Sequence, residues 1–382
     1  MPAPSFFSRI ADRFWPKLAL LAVSTFCALL VAEGVLRMAF GGPQSLEQYP
    51  LLAYSRVWDH MLHPNTRLAE ESADPQHFPG PVVYQVNSLG CRDRREFATF
   101  PPANVRRIIV IGDSYVEGEG INQEETLGPV LERRLHAAYP AARFEVINCA
   151  CASYSPILIY LRLKYQLLAL RPEAVLVAVD LTDVFDDNHR YRPFAVFSRD
   201  GEPLRVDKFG WKGELKQRSA LLYFAADALR PIRTRFSPAP RQAEPDPTAG
   251  EIFSCFRPPV TAAARSEISY TVSHVNRLID LATASHVKIA LTVNPHLEQF
   301  QPDETGVVWN RELECQIRDL CSRRGVPFYS PFDVMEQAFR TGQRLFFEDN
   351  IHHYSPIGER IWTGALSDFM VASLAPPNSP TK

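Results

Sequence analysis

From Arg106 onward this 382-residue chain alternates short apolar runs with longer segments whose apolar residues recur at helical spacing. "RIIVIGD" (107–113), "RFEVINCA" (143–150), "EAVLVAVDL" (173–181), "VKIALTVNP" (287–295) and "VPFYS" (326–330) are the runs. The most apolar of them leave no polar side for water, as expected of strands buried on both faces. Between them, Leu127, Val130, Leu131, Leu135 and Ala138 fall on one helical stripe. Ser155-Pro156 and Ser355-Pro356 are helix starts. The other helices are expected over 262–285, 306–324 and 331–341. Strands alternating with helices in this way predict an α/β fold, three α/β/α layers around a central parallel sheet, over about residues 105–375.

The alternation fails over 185–260, which reads as a loop-rich insertion. It contains one helix-like piece, "SALLYFAADALR" (219–230), and a stretch expected to be a mobile surface loop, "RFSPAPRQAEPDPTAGE" (235–251). Residues 41–104 read as an irregular extension with one strand-like piece, "PVVYQVN" (81–87), and 376–382 as a tail. Hydrophobic residues make up 46% of the chain, enough for a large core, and the net charge is −2, so no basic field points to nucleic acid. The seven cysteines at 27, 91, 149, 151, 255, 315 and 321 form no CxxC pair and no zinc-type ladder. No metal or organic cofactor is expected. An odd count leaves at least one thiol outside any intramolecular bridge, and most are expected to be buried thiols.

The first 17 residues carry Arg9, Arg13 and Lys17, and an apolar run then extends from Leu18 to Ala32. Counting on to Phe40 makes it long enough to cross a membrane, with Glu33 and Arg37 near the far interface. No small-x-small cleavage site follows, so 18–40 is read as an uncleaved anchor, with a cleaved signal peptide or a core helix as alternatives. The positive flank places residues 1–17 in the cytoplasm and the bulk of the protein outside, which in a bacterium is the periplasm.

In a parallel sheet, reactive groups gather where strands end and loops begin. Ser114 stands at that place after the first strand, and Gly112 and Asp113 would brace its turn through local hydrogen bonds. A serine hydroxyl needs a base, and the base an orienting acid. The segment "FFEDNIHHYSPIGERIW" (346–362) supplies Asp349, His352 and His353 just before the last helix.

These blocks resemble the SGNH (GDSL-type) hydrolases, more closely their membrane-anchored bacterial members. "IIVIGDSYVEGEGI" (108–121) is similar to the family's nucleophile block, with Ser114 in the nucleophile's place. "VNSLGCRDRREF" (86–97) leads into it as in that subgroup, and "DNIHHYSPIG" (349–358) resembles the family's Asp-x-x-His block. The resemblance implies a flavodoxin-like fold and attack on an acyl ester through an acyl-serine. Placement facing the envelope suggests acylated, chiefly O-acetylated, saccharide or lipid as partner. The alternatives are an O-acyltransferase for an exported polysaccharide and a weakened, glycan-binding relative.

Two departures bear on the oxyanion hole. Ser153 in "NCACASYS" stands where the family has a glycine whose N–H is a donor, beside the N–H of Ser114. In "VAVDLTDVFDDN", Asp180 and Thr182 stand where the family has Gly and Asn, and Thr182 offers only a short hydroxyl. Losing one oxyanion donor costs on the order of 10²–10³ in rate. Asp183, Asp186 and Asp187 are expected to form a solvated acidic loop, and His274, His286 and His296 to be structural. Spacing from Asp349 favours His352 as the base, and spacing to the helix start and Gly358 favours His353. The Asp349–His352 pairing is slightly preferred.

Overall fold

Five strands make the central sheet: β1 (Val105–Ile111), β2 (Arg143–Asn148), β3 (Ala174–Val179), β4 (Lys288–Val293) and β5 (Phe328–Tyr329). They come from a computed structural model that describes residues 6–40, 51–72, 74–208, 210, 215, 218–228, 248–348 and 352–374. All five pair in parallel in the order β5-β4-β3-β1-β2. In register, Ile109 of β1 lies opposite Ile147 of β2 and Val175 of β3, and Val175 lies opposite Ile289 of β4. The helices, in chain order, are α1 (Phe6–Phe40), α2 (Ser114–Glu117), α3 (Leu127–Ala138), α4 (Pro156–Tyr165), α5 (Thr182–Phe185), α6 (Ala220–Ala228), α7 (Ala262–Ala284), α8 (Glu312–Arg324), α9 (Phe332–Arg340) and α10 (Pro356–Ser373).

Alternate residues of each strand face opposite layers. Ile108 and Val110, with Val146 and Leu176, pack against Leu131 and Leu135 of α3, Met335 of α9 and Trp362 and Leu366 of α10. Their neighbours Ile109, Ile111, Val175 and Val177 are equally buried on the other face. There α7 and α8 lie on β4, and α4 lies on α7. This is the expected three-layer α/β/α arrangement, with apolar runs in the middle because both faces are covered.

The strand order creates the crevice. The chain leaves β1 through α3 on one face to reach β2, then returns through α4 on the other face to reach β3. The loops after β1 and β3 therefore part, and this order opens its ligand crevice at that switch point. Ser114 follows β1, and Asp180 and Thr182 follow β3.

Several elements differ from the sequence expectation. The extension before β1 is not wholly irregular: Arg67–Glu70 pairs antiparallel with Val82–Gln85. The helix from Ser155 stops at Tyr165 and tightens into a 3₁₀ turn over Leu167–Leu170, ended by Arg171 at φ 51°. Helix α8 begins at Glu312, where the Asn310 side chain accepts the Glu312 N–H at 2.8 Å. The insertion contains a further antiparallel pair, Ala195–Phe197 with Pro203–Val206. Most of the stretch expected to be a mobile loop, residues 235–247, lies outside the described residues.

The chain forms two compact units, residues 55–208 with 245–382, which hold the sheet, and residues 1–54 with 209–244. In the second unit Phe14–Ala39 of α1 is long and apolar enough to cross a membrane, a property that signal sequences share. Helix α6 packs on α1.

Gly112 shows what the switch point requires. A Cβ there would lie 2.5 Å from Val116 Cγ2 and 2.9 Å from the Ala178 carbonyl oxygen of β3. Only glycine lets the end of β1 close on β3 while α2 turns above it. Gly112→Ala should cost about 1–3 kcal/mol, the usual penalty for overpacking a full site. Urea unfolding of the two proteins checks it.

Candidate active site

The Asp113 side chain caps α2 by accepting the Tyr115 N–H at 3.1 Å, as the bracing role requires, and this sets Ser114 as the first residue of a short helix. The Ser114 hydroxyl Oγ lies 2.8 Å from Nε2 of His353. Both residues are buried, in a narrow cleft that Tyr115, Glu119, Tyr354 and Glu359 help to line.

His353 holds its place through its backbone. The Phe347 N–H donates to the His353 carbonyl at 2.8 Å, and the Ser355 N–H to the Leu345 carbonyl at 2.9 Å. The Ser355 hydroxyl then caps α10 by accepting the N–H groups of Ile357 and Gly358. His353 is thus pinned between a short bridge and a helix start, and it is this histidine, not His352, that the fold brings to Ser114. His352, the slightly preferred candidate, is turned away at φ 58° and puts Nδ1 2.7 Å from Glu298 Oε1. Its carbonyl accepts the Tyr115 hydroxyl at 3.1 Å. Asp349, the expected orienting acid, lies outside the described residues. Glu119, which the sequence reading did not single out, puts Oε2 3.5 Å from His353 Nε2.

Ser153 sits at φ 58°, the left-handed conformation that glycine adopts freely. Two contacts hold it there: Arg190 Nη1 donates to its Oγ at 2.6 Å, and the Tyr191 hydroxyl donates to its carbonyl at 2.6 Å. Neither the Ser153 nor the Ser114 N–H finds an acceptor among the described residues. Thr182 behaves differently. Its hydroxyl donates to Asp180 Oδ1 at 2.7 Å and its N–H to the same oxygen at 2.8 Å. That hydroxyl hydrogen is committed away from Ser114.

Behind the serine lies a second, wholly buried acid–imidazole pair: His296 Nε2 is 2.7 Å from Asp180 Oδ2. Burial would raise the Asp180 carboxyl, but the His296 imidazole and the Thr182 donors hold it below its ordinary value. Its neighbours go the other way. Burial, together with the Asp180 charge, pushes Asp113 well up, and burial with Asp113 and Asp180 does the same for Asp183. One charge is thus kept where three carboxyls meet. The acidic stretch is not the solvated loop expected, since Asp183, Asp186 and Asp187 are buried. Burial raises Asp186 to about 6 and Asp187 to about 7. Asp187 is occupied as a cap for α4, accepting the Ser155 hydroxyl at 2.6 Å and the Ile157 N–H at 3.2 Å. No group of metal-ligating side chains stands among the described residues.

Residues 110–361 match the model of the GDSL-like lipase/acylhydrolase family. The chain belongs to that family. Solved structures of low sequence identity are also similar to part of the chain. A lipolytic protein of the G-D-S-L family from Desulfitobacterium hafniense is 14% identical at TM-score 0.37, covering 69% of this chain and 98% of its own. A lipase/acylhydrolase from Enterococcus faecalis is 12% identical at TM-score 0.41, with 72% and 100% covered. The acetylxylan esterase Axe2 from Geobacillus stearothermophilus is 12% identical at TM-score 0.42, with 69% and 94% covered. No curated protein matches the chain by sequence.

The Ser153 conformation makes a testable contrast. Ser153→Gly and Ser153→Ala both lose the Arg190 contact, but only the alanine must carry a side chain at positive φ. The glycine variant should be the more stable by about 1 kcal/mol in urea unfolding.

A second test concerns Glu117, whose Oε2 accepts the Ala152 N–H at 2.7 Å and so ties the serine helix to the Ser153 turn. Burial raises its carboxyl to about 7, above the ordinary 4.5. The native state therefore holds a proton that the unfolded state has lost, and stability falls as pH rises from 4.5 through 7. Glu117→Gln keeps the acceptor without the ionisation. Its stability relative to the parent should rise between pH 5 and pH 8, by at most on the order of 3 kcal/mol. Urea unfolding at the two pH values measures it.

Proposed function

We propose that this protein is a membrane-anchored serine esterase that removes short acyl groups, acetyl foremost, from a glycan or lipid of the cell envelope. The observation that carries the reading is the 2.8 Å approach of Ser114 Oγ to His353 Nε2 in the crevice. Membership of the acylhydrolase family supplies the reaction class.

In this reading His353 takes the Ser114 proton as the hydroxyl oxygen attacks the acyl carbonyl. The N–H groups of Ser114 and Ser153 hold the oxyanion. Collapse breaks the ester bond, the departing alkoxide takes the proton from His353, and an acyl-serine remains. Water then attacks with His353 again as base, releasing the carboxylic acid and restoring the serine. Asp349 is the acid assigned to steady the imidazole, with Glu119 adding negative charge beside Nε2. A sugar hydroxyl replacing the water would make the same intermediate serve acyl transfer.

Tyr115, Tyr354 and Glu359 close in on Ser114 and His353, which favours a small acyl group over a long chain. The anchor reading is supported by the length and apolar composition of α1, and Arg13 and Lys17 before the apolar run favour that end in the cytoplasm and the domain outside. The commitment of Thr182 to Asp180 favours one rival, a glycan-binding protein without turnover, because a side-chain oxyanion donor is missing.

Ser114→Ala and His353→Ala should each lower hydrolysis of p-nitrophenyl acetate by about 10⁴-fold or more, and Ser114→Ala should abolish fluorophosphonate labelling. His352→Ala should lose less than about tenfold, and acetyl esters should be cleaved faster than octanoyl esters. A wild-type protein that neither cleaves acetyl esters nor takes the label, yet binds glycan, establishes the rival.

A further inference from the structure

In the unit that contains the anchor, one carboxylate joins two helices far apart in sequence. Glu33, inside α1, accepts the Ser219 hydroxyl at 2.8 Å, the Ala220 N–H at 3.0 Å and the Leu221 N–H at 2.9 Å. Arg37, one turn on, donates Nε to Glu33 Oε1 at 2.6 Å and Nη2 to the Arg218 carbonyl at 2.6 Å. The first N–H groups of a helix have no internal acceptor, and a carboxylate there satisfies them and the helix dipole together. Glu33 thus supplies the N-terminal cap of α6.

We propose that α6 is a second membrane element, clamped to α1 and seated in the lipid interface at the C-terminal end of α1. The inference rests on the anchor reading and extends it. From Trp15, 65% exposed at the basic end of α1, to Glu33 the helix rises roughly 27 Å, close to the hydrocarbon thickness of a bilayer. Glu33 therefore falls at the far interface, where a carboxylate needs partners, and α6 begins there. The α6 sequence, Ala-Leu-Leu-Tyr-Phe-Ala-Ala-Asp-Ala, has one charge in nine residues. Leu222 is 42% exposed, and Tyr223 and Phe224 are of the aromatic kind that settles at headgroup depth. Helix α6 packs on α1, whose own apolar side chains are exposed along its length, so lipid is the occupant the composition fits. The clamp also requires α1 to remain attached, since a cleaved leader would take the α6 cap with it.

The test uses the full chain in phospholipid nanodiscs, with an environment-sensitive fluorescent amino acid incorporated in place of Leu222 or, separately, Leu21. Lipids brominated near the headgroup should quench the probe at 222, and Glu33→Ala should reduce that quenching at least twofold. Glu33→Gln, which keeps an acceptor, should retain most of it. Unchanged p-nitrophenyl acetate hydrolysis in each variant shows that the hydrolase unit is folded. Absent quenching at 222, or quenching indifferent to Glu33→Ala, overturns the proposal. If the probe at Leu21 is quenched and that at 222 is not, this inference alone fails. If neither is quenched, the anchor reading fails with it.

Discussion

Everything at the site depends on β1 lying between β2 and β3. The chain steps from β1 out to β2 and then back past β1 to β3, so α3 and α4 cross opposite faces of the sheet and the loops after β1 and β3 part. The gap they leave is where Ser114 stands. Closing the sheet this tightly requires Gly112 to have no side chain, and the Asp113 cap then turns the chain sharply enough to present the next residue. The Ser114–His353 hydrogen bond spans 239 residues, yet each partner is set by local geometry: a helix start on one side, an isolated bridge and a capped helix on the other.

The residues under the serine are unusually rich in buried acid, and they avoid mutual repulsion by sharing unequally. Asp180 keeps its charge because His296 and Thr182 satisfy it, and the adjoining Asp113 and Asp183 are pushed toward the neutral form. This explains why an acidic stretch can lie beside a centre that must hold an oxyanion. It also shows what the exchange of the family's Asn for Thr182 does. The position turns inward, where Thr182 donates through both its hydroxyl and its N–H to Asp180 of the Asp180–His296 pair.

The fold was legible because strands buried on both faces cannot hide their composition. Runs such as "RIIVI" and "AVLVAV" have a single architectural use, and the helix starts at Ser155 and Ser355 follow from proline and capping chemistry. The place of Ser114 was legible for the same reason, since it follows the end of a strand. Choosing between His352 and His353 was not possible from an Asp-x-x-His spacing, because the chain reverses in that segment and His352 adopts a positive φ. Spacing cannot show such a reversal. The burial of Asp186 and Asp187 was hidden too, since a run of acids looks solvated until a helix N-terminus, here that of α4, is seen to need one of them. The Asp180–His296 pair joins residues 116 apart and left no local pattern at all.

Glu117 and Asp187 have a consequence for how such a domain responds to acid. Both carboxyls are raised to about 7 and favour the folded state more as pH falls, whereas burial holds His274 near 3 and makes it favour the folded state less below 6.5. Mild acid therefore pulls the fold in two directions at once, and the buried carboxyls and the buried imidazole partly cancel each other's dependence on pH.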